Sequence, residues 1–291
     1  EISACLVGSE MCIRDSVKGF TFAFNKKTNR DAIPYSEVVI NELKELGYNV
    51  KPYIIDFSKY GVPQRRKRFI LVGIMGGNAE NFEALLEELK TDYLNNKGIE
   101  SFVSLQDAIS DLFQQNGEVP TPDRKGFNSG IYGDINSNYQ RMMRIDIDSK
   151  NIPDSHSFAH HNSFTQKVFA NLIACYPTKG KRITNKEREQ WNIKKRGLTL
   201  LNKDDVSPTL TSHPDDYIHY AEPRILTVRE YARIQSFPDW YQFKMKYTTG
   251  GDMRKKEVPR YTQIGNAIPP LFAELAGRVL IEILKDGTDA I

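Results

Sequence analysis

In residues 36–46 the apolar positions Val38, Val39, Leu43 and Leu46 repeat at helical spacing, and Gly47 follows directly as a left-handed cap residue, so a helix is predicted there. Residues 50–57 are rich in aromatic and β-branched side chains and predict a strand, with Pro52 near its start. Tyr60-Gly61-Val62-Pro63 supplies turn chemistry. The nearly unbroken apolar run at residues 69–74 then predicts a second strand, of the kind buried in an α/β sheet. Gly73, Gly76 and Gly77 lead from it toward a helical stripe of Phe82, Leu85, Leu86 and Leu89. They lack the G-x-G-x-x-G spacing of a dinucleotide loop, so an exit turn is expected.

Ser104-Leu105-Gln106-Asp107 has the form of a capping box and predicts a helix toward Phe113. From about residue 114 to 179 the pattern turns irregular, broken by Pro120, Pro122, Gly126, Gly130, Gly133 and Pro153. Such a stretch is either loop-rich recognition surface or partly disordered. Order returns at Thr227-Val228-Arg229-Glu230, a stronger capping box that opens a short helix through Ile234, stopped at Phe237-Pro238. Pro269-Pro270 marks a last helix start. Leu271, Phe272, Leu275, Ala276, Val279, Leu280 and Ile283 share one face of that helix, which is expected to pack on a sheet.

The chain has 291 residues, enough to bury a core without disulfide staples, and 40% hydrophobic with 26% charged residues describes a globular protein. No apolar run is long enough to span a membrane. A formal net charge of +3 does not by itself announce a polyanionic partner, but the charge is unevenly placed. Residues 80–111 carry eight acids against two bases, and residues 179–196 carry eight bases against two acids. Either block reads equally as a solvated face or as a partner surface. Three scattered cysteines, Cys5, Cys12 and Cys175, form no disulfide framework and point to a reducing compartment. The histidines, including adjacent His160 and His161, have no metal-ligand spacing, so no metal is expected.

Residues 1–16 lack the basic leader and apolar core of a secretory signal. The run from Cys5 to Ser16 resembles a translated library adapter of the kind found at the ends of metagenomic protein sequences. It is therefore expected to stand outside the native fold; a native disordered leader is the alternative.

Three segments carry a family resemblance. They are Tyr60-Gly61-Val62-Pro63-Gln64-Arg65-Arg66-Lys67-Arg68, then Arg224-Ile225-Leu226-Thr227-Val228-Arg229-Glu230-Tyr231-Ala232-Arg233-Ile234-Gln235-Ser236-Phe237-Pro238, then Gln263-Ile264-Gly265-Asn266-Ala267-Ile268-Pro269-Pro270. In this order and spacing they closely resemble the DNA (cytosine-5) methyltransferase family, with Ser207-Pro208-Thr209-Leu210-Thr211-Ser212 similar to its threonine-leucine element.

The resemblance implies an α/β protein: the C-terminal part of a Rossmann-like, S-adenosylmethionine-dependent sheet, with a smaller, loop-rich target-recognition domain. Residues 17–76 and 259–291 would belong to the catalytic domain and residues 77–258 to the recognition domain. An enzyme that alkylates C5 of a cytosine in a duplex must swing the base out and needs donors for its edge. By the family pattern, Arg68 is the donor to the cytosine carbonyl and Arg66 its partner in ordering base and backbone. In a strand their alternate positions let both converge on one pocket. Asn266 and Ala267, at an expected helix N-terminus, are the cofactor-side candidates. Gln64, Arg65, Lys194, Lys195 and Arg196 are the candidates for DNA contact. The block from Thr227 to Pro238 is expected to brace the recognition domain without chemistry of its own. The implied partners are double-stranded DNA and a cognate restriction endonuclease, in the bacterial cytoplasm.

The chain departs from the pattern near its start. The family's Pro-Cys nucleophile loop and glycine-rich cofactor loop are absent, and Cys175 reads as a core residue. Where the family reads Glu-Asn-Val-x-Gly-Phe, the chain has Asp15-Ser16-Val17-Lys18-Gly19-Phe20. The expectation is a sequence cut within that block, so that this polypeptide alone transfers no methyl group. A non-catalytic DNA-binding fragment and an RNA cytosine-5 methyltransferase of the same fold are the alternatives.

Overall fold

The computed structural model describes residues 4–8, 34–148, 150–249, 253 and 256–288. Helix α1 (Tyr35–Glu45) ends where expected: Gly47 takes φ +89°, a conformation open to glycine at no steric cost. The chain then enters β2 (Tyr48–Asp56), crosses a short helical turn at Phe57–Lys59, and returns as β3 (Lys67–Met75). β2 and β3 pair antiparallel along their whole length, from Tyr48 opposite Met75 to Asp56 opposite Lys67. Apolar continuity had pointed to the parallel type. An uninterrupted apolar strand means burial on both faces, and here a connection running back alongside β2 sets the direction.

Strand β1 (Ala4–Gly8) adds to the other side of β3, also antiparallel, giving the order β1-β3-β2. The segment expected to stand outside the fold thus contributes backbone pairing. An open strand edge offers N–H and C=O groups to any extended segment, whatever its side chains.

Gly76 makes the exit turn with φ +72°, whereas Gly73 lies within β3. Helix α2 (Phe82–Asn96) buries Phe82, Leu86, Tyr93 and Leu94, one stripe at helical spacing. The Ser104 capping box is present in both directions and opens α3 (Leu105–Ile109), which tightens into a further turn at Ser110–Leu112. The irregular stretch holds a small antiparallel pair, β4 (Glu118–Pro120) and β5 (Asn128–Gly130), followed by α4 (Asn138–Met143) and α5 (Ser163–Cys175). The basic block contributes α6 (Asn185–Gln190), and β6 (Thr199–Leu200) pairs in parallel with β7 (Tyr217–Ile218).

The second capping box opens α7 (Val228–Ile234), every residue of which is buried. After it come α8 (Arg260–Asn266) and α9 (Pro270–Thr288). Leu271, Phe272, Leu275, Ala276, Val279 and Ile283 of α9 are buried as the stripe predicted. The helix packs beside α2, where the Tyr93 hydroxyl donates to the Leu271 carbonyl at 2.9 Å. Burial of each large side chain on that face stabilises by about 2 kcal/mol.

The main core runs from Tyr53 and Phe57 through Phe82, Leu112 and Tyr139 to Leu226, Ile264 and Phe272. It therefore crosses both boundaries at which the sequence divides catalytic from recognition segments. A separate, smaller core gathers Phe169, Leu172, Tyr176, Ile183, Ile193, Leu198, Leu200, Ile218 and Ile225. Cys175, expected inside, is exposed at the end of α5, because only Phe169 and Leu172 of that helix lie on its buried stripe. Among the described residues no helix is long and apolar enough to cross a membrane.

Candidate functional site

Local geometry fixes the turn that precedes β3. Asp56 accepts the Ser58 N–H at 3.2 Å, and Gly61 takes φ +74° with its N–H on the Ser101 carbonyl. A Cβ on Gly61 would stand 3.0 to 3.1 Å from Ile99, Leu94 and Leu271, so glycine is required by space as well as by dihedral angle. Val62 and Pro63 are buried, and the chain emerges at Gln64 beside the segment from Ser207 to Leu210. Backbone bonds stitch the two together: Ser207 N to the Pro63 carbonyl at 2.9 Å and Arg65 N to the Ser207 carbonyl at 2.7 Å. The Thr209 hydroxyl adds a bond to the Arg65 carbonyl at 2.7 Å.

Gln64 is fully buried, although the sequence placed it on the DNA face. Its amide oxygen accepts the Leu210 N–H at 2.9 Å, and its amide nitrogen donates to Gln235. The Gln235 amide in turn donates to the Ala267 carbonyl. Two side-chain amides thus join four chain segments in one line of hydrogen bonds, and Gln64 faces the interior.

Arg66 is 1% exposed, and its fork donates to the Gly265 carbonyl at 2.7 Å and to the Leu210 carbonyl at 3.5 Å. Gly265 sits flat against the neighbouring chain: a Cβ there would meet the Thr211 carbonyl oxygen at 3.3 Å. Arg68 is half-buried, with its guanidinium on the Lys67 carbonyl at 2.8 Å. The two arginines therefore do not open onto one shared pocket; Arg66 is committed to the interior and Arg68 reaches the surface. Arg65 is exposed and pairs with Asp205 at 3.2 Å.

Asn266 and Ala267 are half-buried, but they occupy the end of α8 and its C-cap rather than a helix N-terminus. Three residues separate Asn266 from Pro270, where α9 begins, and nothing in local sequence announces the short helix before them. The Ala267 carbonyl is taken by Gln235 and its N–H by the Ile264 carbonyl at 3.1 Å. Ser236, with φ +62°, accepts the Leu271 N–H at 3.1 Å and so caps the start of α9.

Behind this frame lies a network of charges that the sequence did not disclose. Arg233 of α7, fully buried, donates to both oxygens of Asp239 at 2.6 Å and to both oxygens of Asp111 at 3.1 Å. Glu230 closes the capping box and is gripped by Arg224 at 2.7 and 2.8 Å. Burial alone would raise its pKa, but the Arg224 guanidinium outweighs burial and holds the carboxyl near 2. His156 and His219 are buried in the same region, and burial pushes them down to about 4 and about 3. His156 donates from Nε2 to the Leu112 carbonyl at 2.9 Å and accepts at Nδ1 from the Thr227 hydroxyl at 2.8 Å, partners that suit the neutral ring. Only the capping-box letters hinted at this region.

In the second core's segment, Lys194 and Arg196 are exposed, while Lys195 lies 3.3 Å from Asp216 and 3.6 Å from Asp215. Arg260 is buried and bound to Asp123, Ser155 and the Met245 carbonyl. Among the described residues no group of three or more potential ligands could hold a metal ion. The Asp15 to Phe20 seam and Cys12 lie outside the described residues.

The segments that meet here are the ones on which the sequence resemblance rests, and the family comparison agrees. A model of the C-5 cytosine-specific DNA methylase family matches residues 25–282. The chain belongs to this family. Among curated members it is similar to the Type II methyltransferase M.DdeI of Desulfomicrobium norvegicum, at 30% identity over 84% of this chain and 57% of the relative. M.Bpa9945I of Bacillus paralicheniformis is 29% identical over 85% of this chain and 57% of the relative. The chain thus spans little more than half the length of these methylases. A solved structure named as a prophage-encoded DNA modification methyltransferase of E. coli shares the fold. Its TM-score is 0.56 at 20% identity, covering 86% of this chain and 66% of that one.

Proposed function

We propose that the protein serves methylation of cytosine C5 in duplex DNA, as part of a Type II restriction-modification methyltransferase that uses S-adenosylmethionine and swings the target base out of the helix. The observation that carries this reading is the convergence of the family's segments on Gln64 and Arg66, which bind Leu210, Gln235 and Gly265 across the fold. On this reading β2 and β3 belong to the end of a Rossmann-like sheet, and the target-recognition part lies within residues 77–258, the second core among them. Arg68, at the surface end of the frame, is the donor to the cytosine carbonyl; a planar, permanently charged fork suits that task. Lys194 and Arg196 contribute phosphate contacts. A cognate endonuclease that cuts the same site is the partner expected of a Type II system.

The residues described here do not by themselves fit S-adenosylmethionine. Ala267 has both backbone groups spent, Asn266 offers one half-buried amide, and the sequence contains no glycine-rich loop. No Pro-Cys occurs either, so the chain alone is expected to bind DNA without methylating it. Titrating a fluorescent duplex with the pure protein over a range of salt, alongside transfer of tritium from labelled S-adenosylmethionine to DNA, tests both halves. Salt-dependent duplex binding without labelling is the expected result. Absence of duplex binding at every salt concentration refutes the DNA reading, and labelled DNA refutes the claim that this chain has no nucleophile of its own.

A further inference from the structure

The loop between β4 and β5 presents a guanidinium in an unusual setting. The loop closes tightly: Thr121 N bonds the Phe127 carbonyl at 2.8 Å, Phe127 N bonds the Arg124 carbonyl at 3.2 Å, and Gly126 takes φ +82°. Its Asp123 is anchored from outside by Arg260 and by the Tyr247 hydroxyl at 2.9 Å. Arg124 then lies with its guanidinium carbon 3.5 Å from the centre of the Phe127 ring and 4.9 Å from that of Tyr247. Phe127 is itself stacked on His160 at 4.2 Å. The cation is held by rings rather than by acids. Its one side-chain hydrogen bond is a long one, 3.5 Å, to the Ser157 hydroxyl, and among the described residues no carboxylate pairs with it.

This guanidinium lines an open cleft of about 450 Å³. Among the described residues the two acids of the cleft are already matched, Asp123 by Arg260 and Glu257 by Lys246 at 3.0 Å, and Arg124 is the lining cation without a carboxylate partner. Arg260 also starts α8, whose Gly265 carbonyl binds Arg66. The cleft therefore lies one seven-residue helix from the frame around Gln64 and Arg66, about 10 Å along its axis.

We propose that Arg124 is a specificity-determining residue that reads the O6/N7 acceptor edge of a guanine in the DNA target. The proposal rests on the DNA-directed reading above. A stacked guanidinium has lost its side-chain freedom before any ligand arrives, and its donors point along one plane. A phosphate contact gains little from such fixing, because phosphates recur along the backbone and are met by mobile surface cations. A base edge presents two acceptors in one plane at one place, which is the geometry a fixed fork matches.

The test uses the pure chain and a pool of duplexes with a randomised core. The bound fraction is sequenced for the unsubstituted protein and for Arg124→Lys, which keeps the charge and removes the fork. The unsubstituted chain is expected to enrich a motif containing guanine, and R124K to lose the preference at one guanine position. Affinity for the enriched duplex should fall about 5- to 150-fold, with unrelated duplexes changed by no more than about twofold. Uniform weakening on all duplexes, with a salt slope lower by about one, makes Arg124 a phosphate contact and overturns the proposal. An unchanged motif overturns it as well. If the unsubstituted chain binds no duplex, the DNA reading and this proposal fall together, whereas binding with an unchanged R124K motif defeats this proposal alone. Thermal melts check that R124K folds. Phe127→Leu, which removes the stack and leaves the guanidinium, must blur the same position; if it does not, the stack has no part in reading and the proposal fails.

Discussion

Arg233→Met tests whether α7 is held by its buried charges. The substitution deletes a side chain that makes five hydrogen bonds: two each to Asp239 and Asp111, and one to the Ala108 carbonyl at 3.0 Å. Both carboxylates are fully buried. Asp239 would keep the Tyr132 hydroxyl at 2.8 Å, and Asp111 would keep Arg144 at 3.4 Å. Removing one partner of a buried pair leaves carboxylates that Arg144 on Asp111 and Arg229, 3.7 Å from Asp239, compensate only in part, at a cost of about 3 to 5 kcal/mol. In a chain of this size that lowers the melting temperature by roughly 6 to 10 °C. The loss should also depend on pH. Burial pushes the Asp239 pKa up, and in the native protein Arg233 more than offsets this and holds it down. Without Arg233, Asp239 keeps only Arg229 at 3.7 Å and the Tyr132 hydroxyl against its burial, so it takes up a proton more readily. Circular-dichroism melts of both proteins should therefore show the gap narrowing from about pH 7 to about pH 5. A gap below about 2 °C, or one constant over that range, would refute the charge account and leave side-chain packing as the explanation.

Gly61→Ala should cost about 1 to 3 kcal/mol in denaturant unfolding, since it adds a Cβ at φ +74° against three apolar side chains; a loss below about 0.5 kcal/mol would show that the turn can relax. The unsubstituted protein should lose stability in acid in two stages. His156 and His219 are held below their unfolded pKa, so the unfolded chain binds more protons as pH falls from about 6.5 toward 4, and each ring contributes a loss of about 3 kcal/mol; Glu230, held near 2, adds its loss below about pH 4.5. Stability unchanged between about pH 7 and pH 5 would mean that the rings are not buried neutral. Arg66→Leu strands the Gly265 and Leu210 carbonyls and should cost about 2 to 4 kcal/mol, whereas Arg68→Ala, on a half-buried side chain, should cost less than about 1 kcal/mol; equal losses would contradict their different placement. Lys194→Ala and Arg196→Ala should each lower the salt slope of duplex binding by about one, and Lys195→Ala by less, because Asp216 already neutralises it. An equal drop for all three would remove that pair from the account.

Features fixed by neighbours in sequence were readable from the sequence. The Ser104 and Thr227 capping boxes need only residues three apart, and both formed reciprocally. The apolar face of α9 and the cap at Gly47 are equally local. Direction of pairing was not readable, because residues 69–74 show the same apolar run in a parallel or an antiparallel sheet. The fate of Gln64 and Arg66 was hidden for another reason. Their partners Leu210 and Gly265 lie 144 to 199 residues along the chain, and a polar side chain carries no mark saying whether its ligand will be DNA or a distant carbonyl. Arg233 shows the same limit: nothing in the local sequence around Asp111, Arg233 and Asp239 marks the three as buried partners.

The alternation that the sequence assigned to residues 64–68 does hold, and it sorts their roles. Gln64 and Arg66 are buried, while Arg65 and Lys67 face solvent. Arg68 has the parity of the buried pair yet is only half-buried, although Arg66 and Ile70, its neighbours of the same parity, are buried. Five polar residues in a row are thus not five candidates for one ligand. Two amino acids of one parity fasten the strand to Leu210, Gln235 and Gly265, and those bonds remove conformational freedom from the residue that follows. On the base-contact role proposed above, a donor gains from such a mounting, since it need not be ordered when the base arrives. Arg68 is the one side chain of the five that both shares the mounted face and reaches water. The run Gln64 to Arg68 therefore divides into two buried anchors, two outward-facing cations and one half-buried arginine.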